Sequence, residues 1–147
     1  MYVSSGMPGH LIRRLHQYST QVFLRHVREA GFDLTPVQFA ALDALRDNPG
    51  TDQAGLADAI AKDRATVGAV VDRLEQKGLV ARHVSPRDKR ARELSLTAEG
   101  AAVLSRLLPV VEDLQKSILP GLDEAEYRQF IELAARAAKA AGSQESD

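Results

Sequence analysis

Apolar residues recur at three- and four-residue intervals along most of the chain and alternate in one short stretch, so the pattern predicts helices around a single small hairpin. Leu11, Leu15, Tyr18 and Val22, interleaved with Ile12, Ser19 and Phe23, predict one long helix over 10–30, stopped by Gly31. Its apolar stripe is wider than one small neighbour can cover. Residues 1–9, with Gly6, Pro8 and Gly9, read as a loose arm, and 142–147 as a polar frayed tail.

The helix starts carry recognisable chemistry. Thr35 precedes Pro36 and has Gln38 three positions on, a capping box flanked by Leu34 and Phe39 as a hydrophobic staple. That helix is expected to reach about Arg46 and to end in the turn Asp47-Asn48-Pro49-Gly50. Thr51 is then expected to cap a short helix through Ala61 with Leu56 and Ile60 inward, and Asp63 to cap a helix in which Val67, Val70, Val71 and Leu74 face the core. Gly78 ends it. Two short helices joined by a tight turn, the second carrying basic residues, are the arrangement of a helix-turn-helix.

Beyond Gly78 the period changes to two, and 79–84 and 91–96 predict short strands joined by the basic tip Ser85-Pro86-Arg87-Asp88-Lys89-Arg90. Thr97 caps a long helix bearing Val103, Leu104, Leu107, Leu108, Val111 and Leu114, with Pro109 inside it. Asp123 and Glu126 form a second capping box, with Leu122 and Tyr127 as staple, for a last helix reaching about Ala141.

Composition narrows the class. At 147 residues, with 44% hydrophobic and 27% charged side chains, the chain fits one folded domain and leaves no room for a second, catalytic one. The absence of cysteine removes disulfides, thiolate zinc sites, thiol nucleophiles and thiol redox sensing. No basic segment followed by an apolar core occurs in the first ten residues, and no apolar run approaches a bilayer span. A cytoplasmic protein with no membrane partner is expected.

The net charge of −1 hides a partition. Residues 62–92 hold nine Lys or Arg against four acids, a local excess of +5, whereas 123–147 hold six acids against three bases. No Gly-rich phosphate loop, His-Glu-x-x-His pair or nucleophile elbow is present. His16 and His26 are ten positions apart, about 15 Å along a helix, so one subunit does not bring them to one metal. Catalysis, a cofactor and a metal are therefore not expected.

The basic stretch suits DNA instead. Arg87, Lys89 and Arg90 sit on a narrow ribbon whose cations fit the negative potential of a minor groove. Asp88 among them is expected to turn inward and hold Arg90 or Arg92 through a charge-assisted bond. On the helix from Arg64, the small or polar Ala65, Thr66, Gly68, Ala69, Asp72 and Arg73 leave an outer face slim enough for a major groove about 12 Å wide. Arg64 and Thr66 lie in its first turn, where side chains reach base edges. The plain alternatives are a solvated hairpin of mixed charge and a surface helix with small residues for packing, and the second accounts less well for Arg64.

Leu56-Ala57, Asp63-Arg64-Ala65-Thr66-Val67, Asp72-Arg73-Leu74-Glu75, Lys77-Gly78-Leu79-Val80, Arg82, Asp88-Lys89-Arg90 and Leu96-Thr97-x-x-Gly100 together resemble the winged helix-turn-helix of the MarR family over residues 52–100. The resemblance implies a mainly α fold with a small β-hairpin wing. In it, 10–30 and 97–141 supply dimerisation helices and 35–96 a DNA-binding lobe. It also implies a homodimer, which would cover the wide stripe on 10–30, and two recognition helices about 34 Å apart on a palindromic operator in double-stranded DNA. Carried over by position, Arg64, Ala65, Thr66, Ala69 and Arg73 belong to the recognition helix, Arg87, Asp88, Lys89 and Arg90 to the wing, with Asp88 orienting it and Arg90 entering the minor groove. Many relatives have a long polar side chain where this sequence has Ala69, which shifts specificity toward Arg64, the wing and DNA shape.

Family members commonly release DNA when a small, often aromatic and acidic, molecule binds between the dimerisation helices and the DNA-binding lobe. The segment Pro8-Gly9-His10-Leu11-Ile12-Arg13-Arg14-Leu15-His16-Gln17 resembles a subgroup that regulates degradation of aromatic carboxylates. His10, Arg14 and Gln17 fall on one helical line, where Arg offers a carboxylate a two-bonded fork, with Arg13 beside them and Tyr18 or Phe39 to wall a ring. The alternative is that these arginines pair with acids of a partner subunit or lie in solvent. A ligand-released repressor is the leading reading. An architectural DNA-binding protein without ligand control is its rival.

Overall fold

Proline decides where the first long helix begins. In the computed structural model, which describes residues 3–60 and 62–145, α1 spans Pro8–Glu29, starting earlier than expected because the fixed φ of Pro8 suits the first helical position. A 3-10 turn at Val3–Gly6 precedes it, so the expected loose arm is ordered there; Met1 and Tyr2 lie outside the described residues. Next, α2 spans Pro36–Asp47 with both halves of its capping box formed, the Gln38 N–H donating to Thr35 Oγ1 and the Thr35 N–H to Gln38 Oε1, each at 3.1 Å.

The start of α3, Gln53–Ile60, corrects the expected cap. Asp52 rather than Thr51 accepts the first-turn N–H, from Gly55 at 2.8 Å, and the expected end at Ala61 lies outside the described residues. Thr51 is used elsewhere: its carbonyl accepts from the Leu94 N–H at 2.8 Å while the Gly50 N–H donates to the Leu94 carbonyl at 3.0 Å. The expected turn at 47–50 therefore runs straight into the edge of the hairpin. The fourth helix, α4, spans Arg64–Gln76 and is capped by Asp63. Gly78, at φ +76°, then lets the chain reverse, a conformation that costs other residues steric strain.

Strands β1 (Val80–Val84) and β2 (Arg92–Leu96) pair antiparallel, with Val80 opposite Leu96 and Val84 opposite Arg92, each beginning one residue later than expected. Helix α5 spans Ala98–Leu114, runs through Pro109 and passes into a 3-10 turn at Gln115–Ser117. Its entry explains the Leu-Thr-x-x-Gly pattern. Thr97 Oγ1 accepts the Gly100 N–H at 3.0 Å and donates to the Gly78 carbonyl at 2.6 Å, and a Cβ on Gly100 would collide with the Leu79 carbonyl. The last helix, α6, spans Glu124–Glu145 behind the Asp123 and Glu126 capping box, whose two bonds are 3.0 and 2.9 Å. It continues past Gly142, where a tail was expected, since one glycine costs a helix only about 1 kcal/mol.

The buried side chains form one cluster. Leu42 and Leu45 of α2, Leu56 of α3, Val67, Val71 and Leu74 of α4 and Leu94 of β2 join Leu104, Leu107 and Leu114 of α5 and Val22 and Val27 of α1. Part of the apolar surface stays open. Leu11, Ile12, Ile131 and Leu133 are 47%, 65%, 49% and 49% exposed, and no side chain from Glu124 to Ser143 is buried.

Candidate nucleic-acid interface and effector cavity

The first turn of α4 is held by one carboxylate. Asp63 accepts from the Thr66 N–H and from Thr66 Oγ1, both at 2.8 Å, and these two bonds, the backbone one foremost, hold its pKa below the ordinary carboxylate range. The Thr66 hydroxyl proton is thereby committed to the cap. Arg64, Ala65, Thr66, Ala69 and Arg73 are all exposed; Ala65, Thr66, Ala69 and Arg73 lie on the side of the helix away from buried Val67, Val71 and Leu74, and Arg64 is exposed at its first turn.

The hairpin tip is built on a buried serine. Ser85 Oγ accepts from the N–H groups of Arg87 and Asp88 at 3.2 and 3.3 Å, and Asp88 Oδ1 accepts the Arg90 N–H at 2.9 Å. The expected bond from Asp88 to a guanidinium is thus corrected. An aspartate reaches the backbone two residues on more readily than a mobile side chain, and Arg92 donates instead to the Lys89 carbonyl at 3.2 Å. Asp88 shapes the loop, and Arg87, Lys89 and Arg90 project from it exposed.

A link between the two elements was not legible in the sequence. Arg82 of β1 lies 2.7 Å from Asp72 Oδ1 and 3.3 Å from Glu75 Oε1 of α4, and its other terminal nitrogen donates to Gln53 Oε1 at 3.5 Å. Gln53 in turn donates to the Arg64 carbonyl at 3.4 Å. Nothing in local spacing joins Arg82 to residues seven, ten and twenty-nine positions away.

The expected effector residues divide. His10, Arg13, Arg14, Gln17 and Tyr18 line one open groove of about 440 Å³ along α1, together with Gln21. Phe39 does not join them in one subunit. It lines a separate cavity of about 230 Å³ between α1, α2 and the end of α5, with His16, Thr20, Phe23, Val111 and Gln115 among its walls. The Phe23 and Phe39 rings stand 6.0 Å apart at 53° there. His16, Ser19, Thr20 and Gln115 escaped sequence reasoning because three separated elements build the cavity; the only local trace is His16, Thr20 and Phe23 recurring on one face of α1.

A capped helix with a slim cationic face, preceded by a short helix and followed by a basic hairpin, defines a winged helix-turn-helix DNA-binding protein. Comparison with known proteins agrees. The sequence profile of the MarR family matches residues 32–91. The transcriptional regulator HosA of Escherichia coli O111:H- is 34% identical over 124 residues, 84% of this chain and 89% of that protein. The HTH-type transcriptional repressor NicR of Pseudomonas putida is 35% identical over 118 residues, 80% of this chain and 73% of that protein. The solved structure of BpsR from Bordetella bronchiseptica, whose DNA binding is regulated by 6-hydroxynicotinic acid, is similar with a TM-score of 0.85 at 32% identity, covering 94% of this chain and 97% of that one. The chain belongs to the MarR family of transcriptional regulators, whose members are dimers. No helix among the described residues is long and apolar enough to cross a membrane.

Proposed function

We propose that this protein is a cytoplasmic, non-enzymatic repressor. As a homodimer it binds a palindromic operator and leaves it when a small aromatic carboxylic acid binds. Residues 35–96 form its DNA-binding lobe, and 10–30 and 97–141 its dimerisation helices. Arg64 and Arg73 flank the slim face of α4 in the major groove, while Arg90 enters the minor groove and Arg87 and Lys89 meet phosphate. The observation that carries this reading is that each acid of the basic stretch, Asp63, Asp72, Glu75 and Asp88, is held by an internal donor while those cations stay exposed.

The effector reading rests on the groove and the cavity, which are separate within one subunit and would serve one ligand only where the dimer brings the groove of one copy to the cavity of the other. Arg13 and Arg14 offer forks to a carboxylate, and the cavity walled by Phe23 and Phe39 offers an apolar slot for a ring. The likeness to BpsR supports the same ligand class. Such a ligand must favour the DNA-incompetent dimer, because equal affinity for both states shifts nothing.

A gel shift on the intergenic DNA beside the protein's own gene, with and without 6-hydroxynicotinic acid and hydroxybenzoates, tests both halves. A shift abolished by one of these acids is expected. A shift that no acid alters would favour the architectural alternative. Calorimetric titration of wild type and Arg14→Ala with the releasing acid is expected to show weaker binding by the variant, and equal binding would remove Arg14 from the account.

A further inference from the structure

The guanidinium of Arg82 occupies a position that neither a phosphate contact nor core packing explains. It stands on the hairpin strand with its side chain only 24% exposed, yet its partners are two exposed carboxylates on the recognition helix and one amide on the helix before it. On α4, Asp72 lies three positions from Ala69 and seven from Ala65, on the same outward side. An unmatched carboxylate there would face the most negative surface the protein meets. Arg82 is thus asked to cancel charge on an element other than its own.

The geometry also fixes position. One terminal nitrogen reaches Asp72 and Glu75, one helical turn apart, and the other reaches Gln53. A planar fork satisfies partners in two directions at once, whereas an ammonium meets them as a point charge. Through Gln53, which lies over Gly68 and donates to the Arg64 carbonyl, the chain of contacts extends to the first turn of α4. A Cβ on Gly68 would come within 3.0 Å of the Gln53 amide nitrogen, so glycine there keeps the amide seated.

We propose that Arg82 is a positioning residue for operator recognition: by pinning Asp72 and Glu75 it holds the recognition helix in one setting against the wing and keeps both carboxylates from opposing DNA. It touches no DNA itself. This rests on reading α4 and the hairpin as the DNA-contacting elements. A residue acting in this way governs discrimination between sequences, because a helix tilted away from its setting loses base contacts before it loses phosphate contacts.

The test measures affinity for two duplexes, one selected by the wild-type protein from a random-sequence pool and one of the same composition scrambled, across a salt series. Arg82→Met is expected to lose about tenfold or more on the selected duplex and only the smaller, sequence-independent share due to the two uncovered carboxylates on the scrambled one, and Arg82→Lys, which keeps the charge, to recover the loss on the scrambled duplex more fully than that on the selected one. A uniform loss with the slope reduced by about one would make Arg82 a phosphate contact and overturn the proposal. An Asp72→Asn/Glu75→Gln variant, altered only at exposed positions, keeps the test decisive if Arg82→Met fails to fold. It is expected to bind scrambled DNA more tightly while the ratio of selected to scrambled affinity falls. A ratio that holds would overturn the proposal. Absence of binding by the wild-type protein to any duplex would remove the DNA reading and this inference with it, whereas wild-type binding with unchanged ratios in both variants removes the inference alone.

Discussion

The lobe from α2 to β2 and the pair formed by the start of α1 and α6 solve the same problem to different degrees. In the lobe, each helix start has its cap within the chain, and Leu42, Leu56, Val71, Leu74 and Leu94 are fully buried. In α6 the capping box is equally well formed, but no side chain from Glu124 to Ser143 is buried and the apolar face of α1 stays open at Leu11 and Ile12. Helix signals therefore do not announce whether a helix has a partner in its own chain. An amphipathic helix left uncovered in one subunit needs a second surface, since tertiary packing supplies most helical stability. The lobe buries its apolar faces within the chain, partly against α1 and α5, whereas the start of α1 and the length of α6 keep apolar side chains open among the described residues.

The sharpest way to break that comparison is to charge the open faces. Ile12→Asp combined with Ile131→Asp replaces two side chains that are exposed in the subunit, so an isolated chain would barely notice the change. If these faces meet a partner copy, each change buries an unpaired carboxylate. The dimer then falls to single chains in sedimentation, and operator affinity falls on the order of a hundredfold or more. An unchanged dimer would show that the open faces serve something else.

A smaller effect is expected where the lobe meets α5. Gly100→Ala drives a Cβ into the Leu79 carbonyl at the junction of β1 and α5, where backbone rather than a flexible side chain must yield. The cost is expected at about 1–3 kcal/mol in urea unfolding, after the favourable helix propensity of alanine is overcome. Raising protein concentration should restore the Ile12/Ile131 variant and leave the Gly100→Ala deficit unchanged. A deficit in Gly100→Ala that disappears with concentration would blur the two regions into one.

The same contrast explains what was legible in the sequence. Thr35, Asp63, Thr97 and Asp123 were readable as caps because a cap and its target lie within three residues. The hairpin and its basic tip were readable from the switch to a period of two. Adjacent candidates defeated the reading at α3, where Asp52 took the role expected of Thr51, and at the tip, where Asp88 chose the nearer backbone N–H over a guanidinium. Longer-range features left no trace. The pairing of Gly50 and Thr51 with Leu94, the bridge from Arg82 to α4, and the separation of Phe39 from the arginine groove each depend on elements far apart in the chain.

The smallest predicted effects probe how local the lobe is. Thr35→Ala removes one acceptor at the start of α2 and is expected to cost about 1 kcal/mol, read as a shift of the urea midpoint without a change of slope. Asp63 adds a pH signature at the recognition helix. Its carboxylate is favoured in the folded state because the Thr66 N–H and hydroxyl donate to it, so its folded pKa lies below its unfolded one. The unfolded chain then binds more protons across that interval. The contribution is fully present above the ordinary Asp value and is lost as pH falls through about 4 toward the lower folded value. Asp63→Asn retains an oxygen for the cap but cannot titrate. The stability gap between wild type and Asp63→Asn is expected to stay level above about pH 5 and to shrink below it. Because the cap is closed within one chain, that profile should superimpose at any protein concentration. A profile that moves with concentration would mean that subunit contact shapes even the first turn of α4, and the division between a lobe closed within one chain and helix faces left open in it would have to be redrawn.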